Sequence, residues 1–418
     1  MAQLKKEITL VSGIGQLSTT LLGTGLFMVP AIAAGIAGAH SLWAWAALLI
    51  AICPVALTFA VLGKNYPNAG GTAYFVRLAF NQRLEKSIAW LFLSVIPVGV
   101  PAAVALAAGF LQPLLPGQLK HPLIVQAITV FLLVMVNLSG AKTSGRIQTV
   151  IALSIFALVT ALWWFGDINA NDIAMPAIST GDLLLIGSAL SVMFWCFVGI
   201  EAFAHMGEEF KSPQRDFPIA IVVGCIVAGA AYWACSIVII KYHAYGAAQF
   251  DTGSIPYLSN ILFGSQAKLL ISGLGFAACF ASINLYTQSL SRMLWAQARD
   301  YKPDSRLAKL SSTGTPANAT IVIGLVLLSA CVVGEISQFD LEVFVKLANS
   351  VFILVYSMAM LSACKLLNGG ARKLAALSLL TCTIMMICVG WSMLYALALF
   401  MLLIYKIKPS EQSKPLSI

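Results

Sequence analysis

Residues 21–30 read LLGTGLFMVP and residues 194–210 read FWCFVGIEAFAHMGEEF. Each stretch lies in a long apolar run and breaks it with glycine. The first break is Gly23-Thr24-Gly25; the second is Val198-Gly199, two residues before the acid Glu201. Glycine weakens a helix. Irregular backbone at membrane depth is tolerated only where its N–H and C=O groups are buried in protein or line a cavity. Two glycine-interrupted spans in corresponding places of two halves are therefore the sequence pointer to the binding site of a secondary transporter.

The composition around these breaks agrees. Of 418 residues, 60% are apolar and 10% charged, with mean hydropathy +0.90. Soluble domains carry about 25% charge, so the chain reads as an all-α polytopic membrane protein. Nucleic acid is not expected as a partner despite the net charge of +9. The nine cysteines form no CxxC pair and lie in apolar runs, and the four histidines are scattered. No metal site or disulfide framework is expected. The apolar run from about Leu10 to Ala37 is too long for a signal-peptide core and reads as a retained first helix.

Apolar segments fall at about 9–35, 41–63, 88–111, 123–140, 148–166, 182–205, 218–241, 267–291, 318–334, 341–364, 374–389 and 391–406. Twelve spans place both termini on one side. That side carries basic residues from Lys5, Lys6 and Lys64 through Arg299, Lys302, Arg372 and Lys373, while the opposite loops hold only Lys120, Lys241 and Lys268. Basic loops stay cytoplasmic, so both termini are expected there. Lys346 falls within span 10, either snorkelling outward or facing an outer vestibule. In loop 64–87, Tyr74, Phe75, Leu78 and Phe80 suggest an interfacial amphipathic stretch.

Chemistry is expected at the breaks. A half-helix beginning after Gly23-Thr24-Gly25 would offer N–H groups to a carboxylate, with Thr24 adding a hydroxyl. Close helix–helix contact through small residues is the alternative. Intramembrane carboxylates such as Glu201 are costly and mostly functional; a carboxyl held away from water can exchange a proton near neutral pH. The alternative is a structural cap. Phe194, Trp195, Phe197 and Phe203 are candidate pocket walls, and Tyr286 in span 8 could close a pocket against Trp195. Glu208, Glu209, Lys211, Arg215 and Asp216 read as a solvated ion-pair cluster at the cytoplasmic end. No Ser/His/Asp, HExxH or paired-carboxylate motif lies within the spans, which argues against an enzyme.

GTGLFMVPA, YPNAGGTAY, FVGIEAFAHMGEEFKSPQRDFPIA and SRMLWAQARD together resemble the amino acid–polyamine–organocation (APC) superfamily, from about residue 9 to 366. LSVMFWCFVG, WLFLSVIPVG and SLWAW look like its bacterial inner-membrane exporters of neutral apolar amino acids. The resemblance implies a LeuT-like fold: a ten-helix core at 1–366 of two inverted five-helix repeats (about 9–166 and 182–366), broken helices 1 and 6, two added helices at 367–406, and a cytoplasmic tail at 407–418. It implies carboxylate capture by Gly23, Thr24 and Gly25, and ammonium contact with carbonyls around Phe194, Phe197, Val198 and Gly199. Trp195 and Tyr286 match gates and Glu201 a proton-sensing acid. Many proton-coupled members have a lysine where this chain has Ser154, six residues after Gln148. This departure leaves the coupling open; Ser154 and Ser282 raise a sodium site as the alternative.

The expectation is an exporter of methionine, leucine, isoleucine and valine in the bacterial inner membrane, a monomer or homodimer driven by a proton gradient without cofactor. The rivals are an importer or exchanger with the same site, and an amino acid sensor that does not transport.

Overall fold

The computed structural model describes residues 4–247, 249–337 and 341–407; residues 408–418, most of the expected tail, lie outside the described residues. The helices are α1 Leu10–Leu26, α2 Val29–Ala37, α3 Ser41–Asn65, α4 Gly71–Ala79, α5 Gln82–Leu93, α6 Val95–Val98, α7 Val100–Leu111, α8 Pro122–Leu138, α9 Ala141–Phe165, α10 Asp182–Met193, α11 Ile200–Ala204, α12 Pro213–Lys241, α13 Phe250–Phe263, α14 Ala267–Tyr301, α15 Ala317–Ser337, α16 Leu341–Leu366, α17 Gly369–Val389 and α18 Met393–Lys406. Extended pairing among the described residues is confined to one parallel bridge, Ile8 to Phe210.

Nine helical stretches of the described residues are long and apolar enough to cross a bilayer, so the chain is a multi-pass membrane protein. Two of these stretches, Val29–Asn65 and Gly369–Lys406, each contain a turn between two helices, at Gly38 (φ 54°) and Gly390 (φ 65°). Helices α1 and α8 have 17 residues each. Apolar side chains point outward as well as inward: Trp164, Trp391 and Tyr405 are more than four-fifths exposed, as suits a surface that meets lipid rather than water. In an 18-residue apolar window of the α17–α18 stretch 22% is buried, against 78% in such a window of Val345–Leu366 in α16, which puts α16 inside the bundle and the last two helices at its edge.

Helix α1 is the central element. From Gln16 to Leu26 every residue is buried, and the helix packs against α9, α12 and α14. Its run of Gly, Ser and Thr allows this, because small residues let helix backbones approach closely.

Both apolar runs are interrupted, the first not where the glycines suggest. Gly23, Thr24 and Gly25 form the last turn of α1, and the break falls at Phe27-Met28. Their N–H groups are committed within a helix rather than freed. Helix α2 then starts at Val29, with Pro30 in its first turn, where a missing N–H costs nothing. In the second run, α10 passes into a 3₁₀ turn at Phe194–Phe197, Val198 is extended (φ −68°, ψ 122°), and Gly199 takes φ 136° before α11 begins. That φ is reserved for glycine.

The segment expected to lie amphipathically at the interface is helix α4. Phe75 is fully buried there, while Tyr74, Leu78 and Phe80 are half-buried, because α4 packs inward on α5, α11 and α16.

Candidate functional site

Between the two breaks lies a small cavity of about 20 Å³, lined among others by Thr20 and Thr24 of α1, Trp195 and Val198 of the second break, Tyr286 of α14 and Phe352 of α16. That is room for a single water molecule, so the site is closed around itself. Three aromatic rings close it: Phe352 lies 6.3 Å from Trp195 and 5.7 Å from Tyr286 between ring centroids. The Trp195 indole N–H donates to Thr24 Oγ1 at 3.2 Å, a polar tie from the second break to α1. The walls are mostly aliphatic and aromatic, with a few hydroxyls, as suits an apolar ligand bearing a polar end.

Glu201 stands beside this cavity, fully buried in the first turn of α11. Its Oε2 accepts the Gly199 N–H at 2.8 Å and its Oε1 accepts the Tyr286 O–H at 2.9 Å. Both oxygens act as acceptors, and protonation turns one of them into a donor. A protonated carboxyl keeps acceptor capacity on both oxygens, so the change open at these two contacts is that the Tyr286 hydroxyl turns from donor to acceptor. One of those contacts holds the helix break; the other holds an aromatic that lines the cavity.

The expected site residues divide. Thr24, Trp195, Val198 and Tyr286 line the cavity. Gly23 and Gly25 do not: a Cβ at Gly23 would meet Ser282 and the Ala278 carbonyl (2.6 Å), and one at Gly25 would meet the Tyr232 hydroxyl. Their small size is used to seat α1 against α14 and α12. The ring of Phe194 packs edge-on against Tyr356, centroids 5.5 Å apart. The Phe197 carbonyl already accepts the Tyr356 O–H at 2.7 Å, which leaves one of its lone pairs. A Cβ at Gly199 would stand 2.8 Å from Thr20 Cγ2.

The sequence reading missed Thr20, Phe352, Tyr356 and Tyr232. The last of these donates through its hydroxyl to the Leu21 carbonyl. Phe352 and Tyr356 sit four residues apart, on one face of α16. Their sequence signal is weak: Asn349, Ser350 and Tyr356 stand in a span that also carries Glu342, Lys346, Ser357 and Ser362.

A family model described as amino acid permease matches residues 8–416. The L-methionine/branched-chain amino acid exporter YjeH of Escherichia coli (strain K12) is 47% identical over 398 residues, covering 95% of each chain. The chain belongs to the amino acid permease family. An uncharacterized amino acid permease, YecA of Bacillus subtilis (strain 168), is 25% identical over 412 residues and 94% of each chain. The crystal structure of MhsT in complex with L-phenylalanine superposes with TM-score 0.60 over 96% of this chain and 99% of that one, at 16% identity. At that identity the likeness shows the fold, which is LeuT-like.

At the end holding the N-terminal segment, the expected solvated cluster is in part buried. Glu209 and Arg292 are 3% and 2% exposed and form a two-pronged ion pair, Nη2 to Oε2 at 2.9 Å and Nε to Oε1. The Ile8–Phe210 bridge lies beside it, with the Glu7 and Ile8 N–H groups both on the Glu209 carbonyl at 2.9 Å. Burial pushes the neighbouring Glu208 carboxyl above its usual range, opposed by a bond from the Ala69 N–H. Lys211 and Arg215 are exposed, as a solvated cluster requires. Elsewhere, Ser154 bonds the Val150 carbonyl of its own helix at 3.0 Å and Ser282 the Thr20 carbonyl at 2.8 Å. The two hydroxyls have separate partners, and Lys346 is half-buried.

Proposed function

We propose that this permease exports neutral, apolar L-amino acids (methionine, leucine, isoleucine and valine) across the bacterial inner membrane by proton-coupled alternating access. The observation that carries the reading is the 47% identity, over 95% of both chains, to a protein named as an L-methionine/branched-chain amino acid exporter. The cavity supports it, with aromatic and aliphatic walls and one adjacent carboxyl, Glu201. A cationic side chain would call for a further acid in that wall.

In this reading the chain has twelve spans with both termini cytoplasmic. Residues 1–366 form two inverted five-helix repeats broken in their first helices, and 367–406 form the two appended helices. The substrate carboxylate is received at Gly23-Thr24-Gly25. The Thr24 hydroxyl is the donor already facing the cavity, and the last turn of α1 loosens to supply amides. The ammonium is received by carbonyls around Phe194, Phe197, Val198 and Gly199. Trp195 and Tyr286 are the gates: the bond between Trp195 and Thr24 must open to admit substrate. Glu201 is the proton-coupling group, since its protonation adds a donor beside the cavity and lets the Tyr286 hydroxyl turn from donor to acceptor.

The test is flux in proteoliposomes with imposed proton or sodium gradients and a panel of amino acids. Efflux of the four apolar amino acids, driven by a proton gradient and indifferent to sodium, is expected. Concentrative uptake with inward proton flow and no efflux would overturn export. Glu201→Gln is expected to flatten the pH dependence of flux; an unchanged profile would make Glu201 a cap and nothing more.

A further inference from the structure

A second cavity, of about 850 Å³, opens among α7, α8, α13, α14 and α15. Helix α7 separates it from the site described above. That site uses Gly99, Val100 and Ala103, whereas this one uses Pro101, Ala105 and Gly109. At 3.6 residues per turn these are two faces of one helix. The volume lies in the range of small-molecule sites, and the walls are mainly apolar with a few converging polar groups.

Those polar groups have complementary signs. Lys268 and Glu335 both line the cavity, no ion pair joins them among the described residues, and Glu335 takes one bond from Gln126, at 3.3 Å. Ser259 is 1% exposed, faces the cavity, and its hydroxyl has no hydrogen-bond partner. Pro256 lies inside α13 and brings no N–H to the carbonyl of Thr252, four residues earlier, which also lines the cavity. A buried hydroxyl without a partner costs free energy, and here that hydroxyl, the Glu335 carboxylate and the Lys268 ammonium line one apolar space.

We propose that this cavity is a second binding site for a zwitterion on an apolar body. Glu335, Ser259 and the Thr252 carbonyl take its primary ammonium, and Lys268 takes its anionic group. A free apolar amino acid and a phosphatidylethanolamine headgroup share that chemistry. Phe110 forms part of the wall and packs edge-on against Phe27, centroids 4.9 Å apart, at the first helix break. An occupant therefore rests on the residue next to the hinge. The proposal does not depend on the direction of transport or on the first site.

The test uses the full chain in nanodiscs, with L-methionine binding measured by equilibrium dialysis and retained lipid by native mass spectrometry. Membranes of phosphatidylethanolamine and of phosphatidylglycerol are compared. Gly109→Leu and Gly334→Leu fill the cavity without strain, since a Cβ at either meets nothing within 4 Å; Lys268→Gln and Glu335→Gln remove the charges. Wild type is expected to hold two methionines, or one methionine and one retained phosphatidylethanolamine. The filling and charge variants are expected to weaken the second ligand by about tenfold or more and leave the first methionine in place. A single methionine with no retained phosphatidylethanolamine in wild type would overturn the proposal. So would a second ligand that survives in the filled variants, which lie on two separate helices and so guard against one failing to fold. Absence of the first methionine with a retained lipid would instead count against the amino acid site between the breaks.

Discussion

The two helix breaks are held open by different means. The first spans Phe27 and Met28, and α2 starts there without a side-chain cap. Its surroundings are Phe110 and the close seating of Gly23 and Gly25 on α14 and α12. The second spans Phe194–Gly199 and is tied by polar groups: Glu201 on the Gly199 amide, Tyr286 on Glu201, and Tyr356 on the Phe197 carbonyl. Packing is indifferent to pH, whereas a carboxyl is not. One break is fixed by shape, and the other is tied by polar groups that include a carboxyl.

The contrast is broken most severely at Gly25. Gly25→Ala drives a methyl into the Tyr232 hydroxyl and is expected to destabilise the protein by about 1–3 kcal/mol, as overpacking does, with Gly25→Val worse. Adding Tyr232→Phe to Gly25→Ala should recover part of the lost melting temperature in detergent. No recovery would show that this contact does not fix the glycine. At the second break, Gly199→Ala forces a side chain into φ 136° and toward Thr20, at about 1–2 kcal/mol. Its melting temperature should fall and its flux should drop even where the protein folds; wild-type flux would mean that the bend is not needed. The smallest effect is expected from Tyr286→Phe, which removes one hydrogen bond worth about 0.5–1.5 kcal/mol. It should shift the pH midpoint of flux while leaving stability almost intact. An unmoved midpoint would uncouple Tyr286 from Glu201.

The sequence made the second break legible and misplaced the first, and the reason is physical. Gly199 is there for a backbone angle, and a buried acid two residues later is costly enough to stand out. Gly23 and Gly25 lack side chains for a different reason, close approach of helices, and composition does not separate the two uses. The turn itself falls on Phe27 and Met28, bulky residues with no turn preference, and only Pro30 hints at it. The wall residues Thr20 and Phe352 come from helices far apart in sequence, and no periodicity along one span announces such a meeting. Glu209 and Arg292 look like ordinary loop charges until the fold buries them together.

That ion pair sets a condition on how the protein moves. Charges taken out of water are tolerated only while they face each other. Any motion that draws α14 away from the segment after α11 must let water reach Glu209 and Arg292 as they part. At that end of the molecule, wetting and opening are therefore one event, and a dry open state has no place in the cycle.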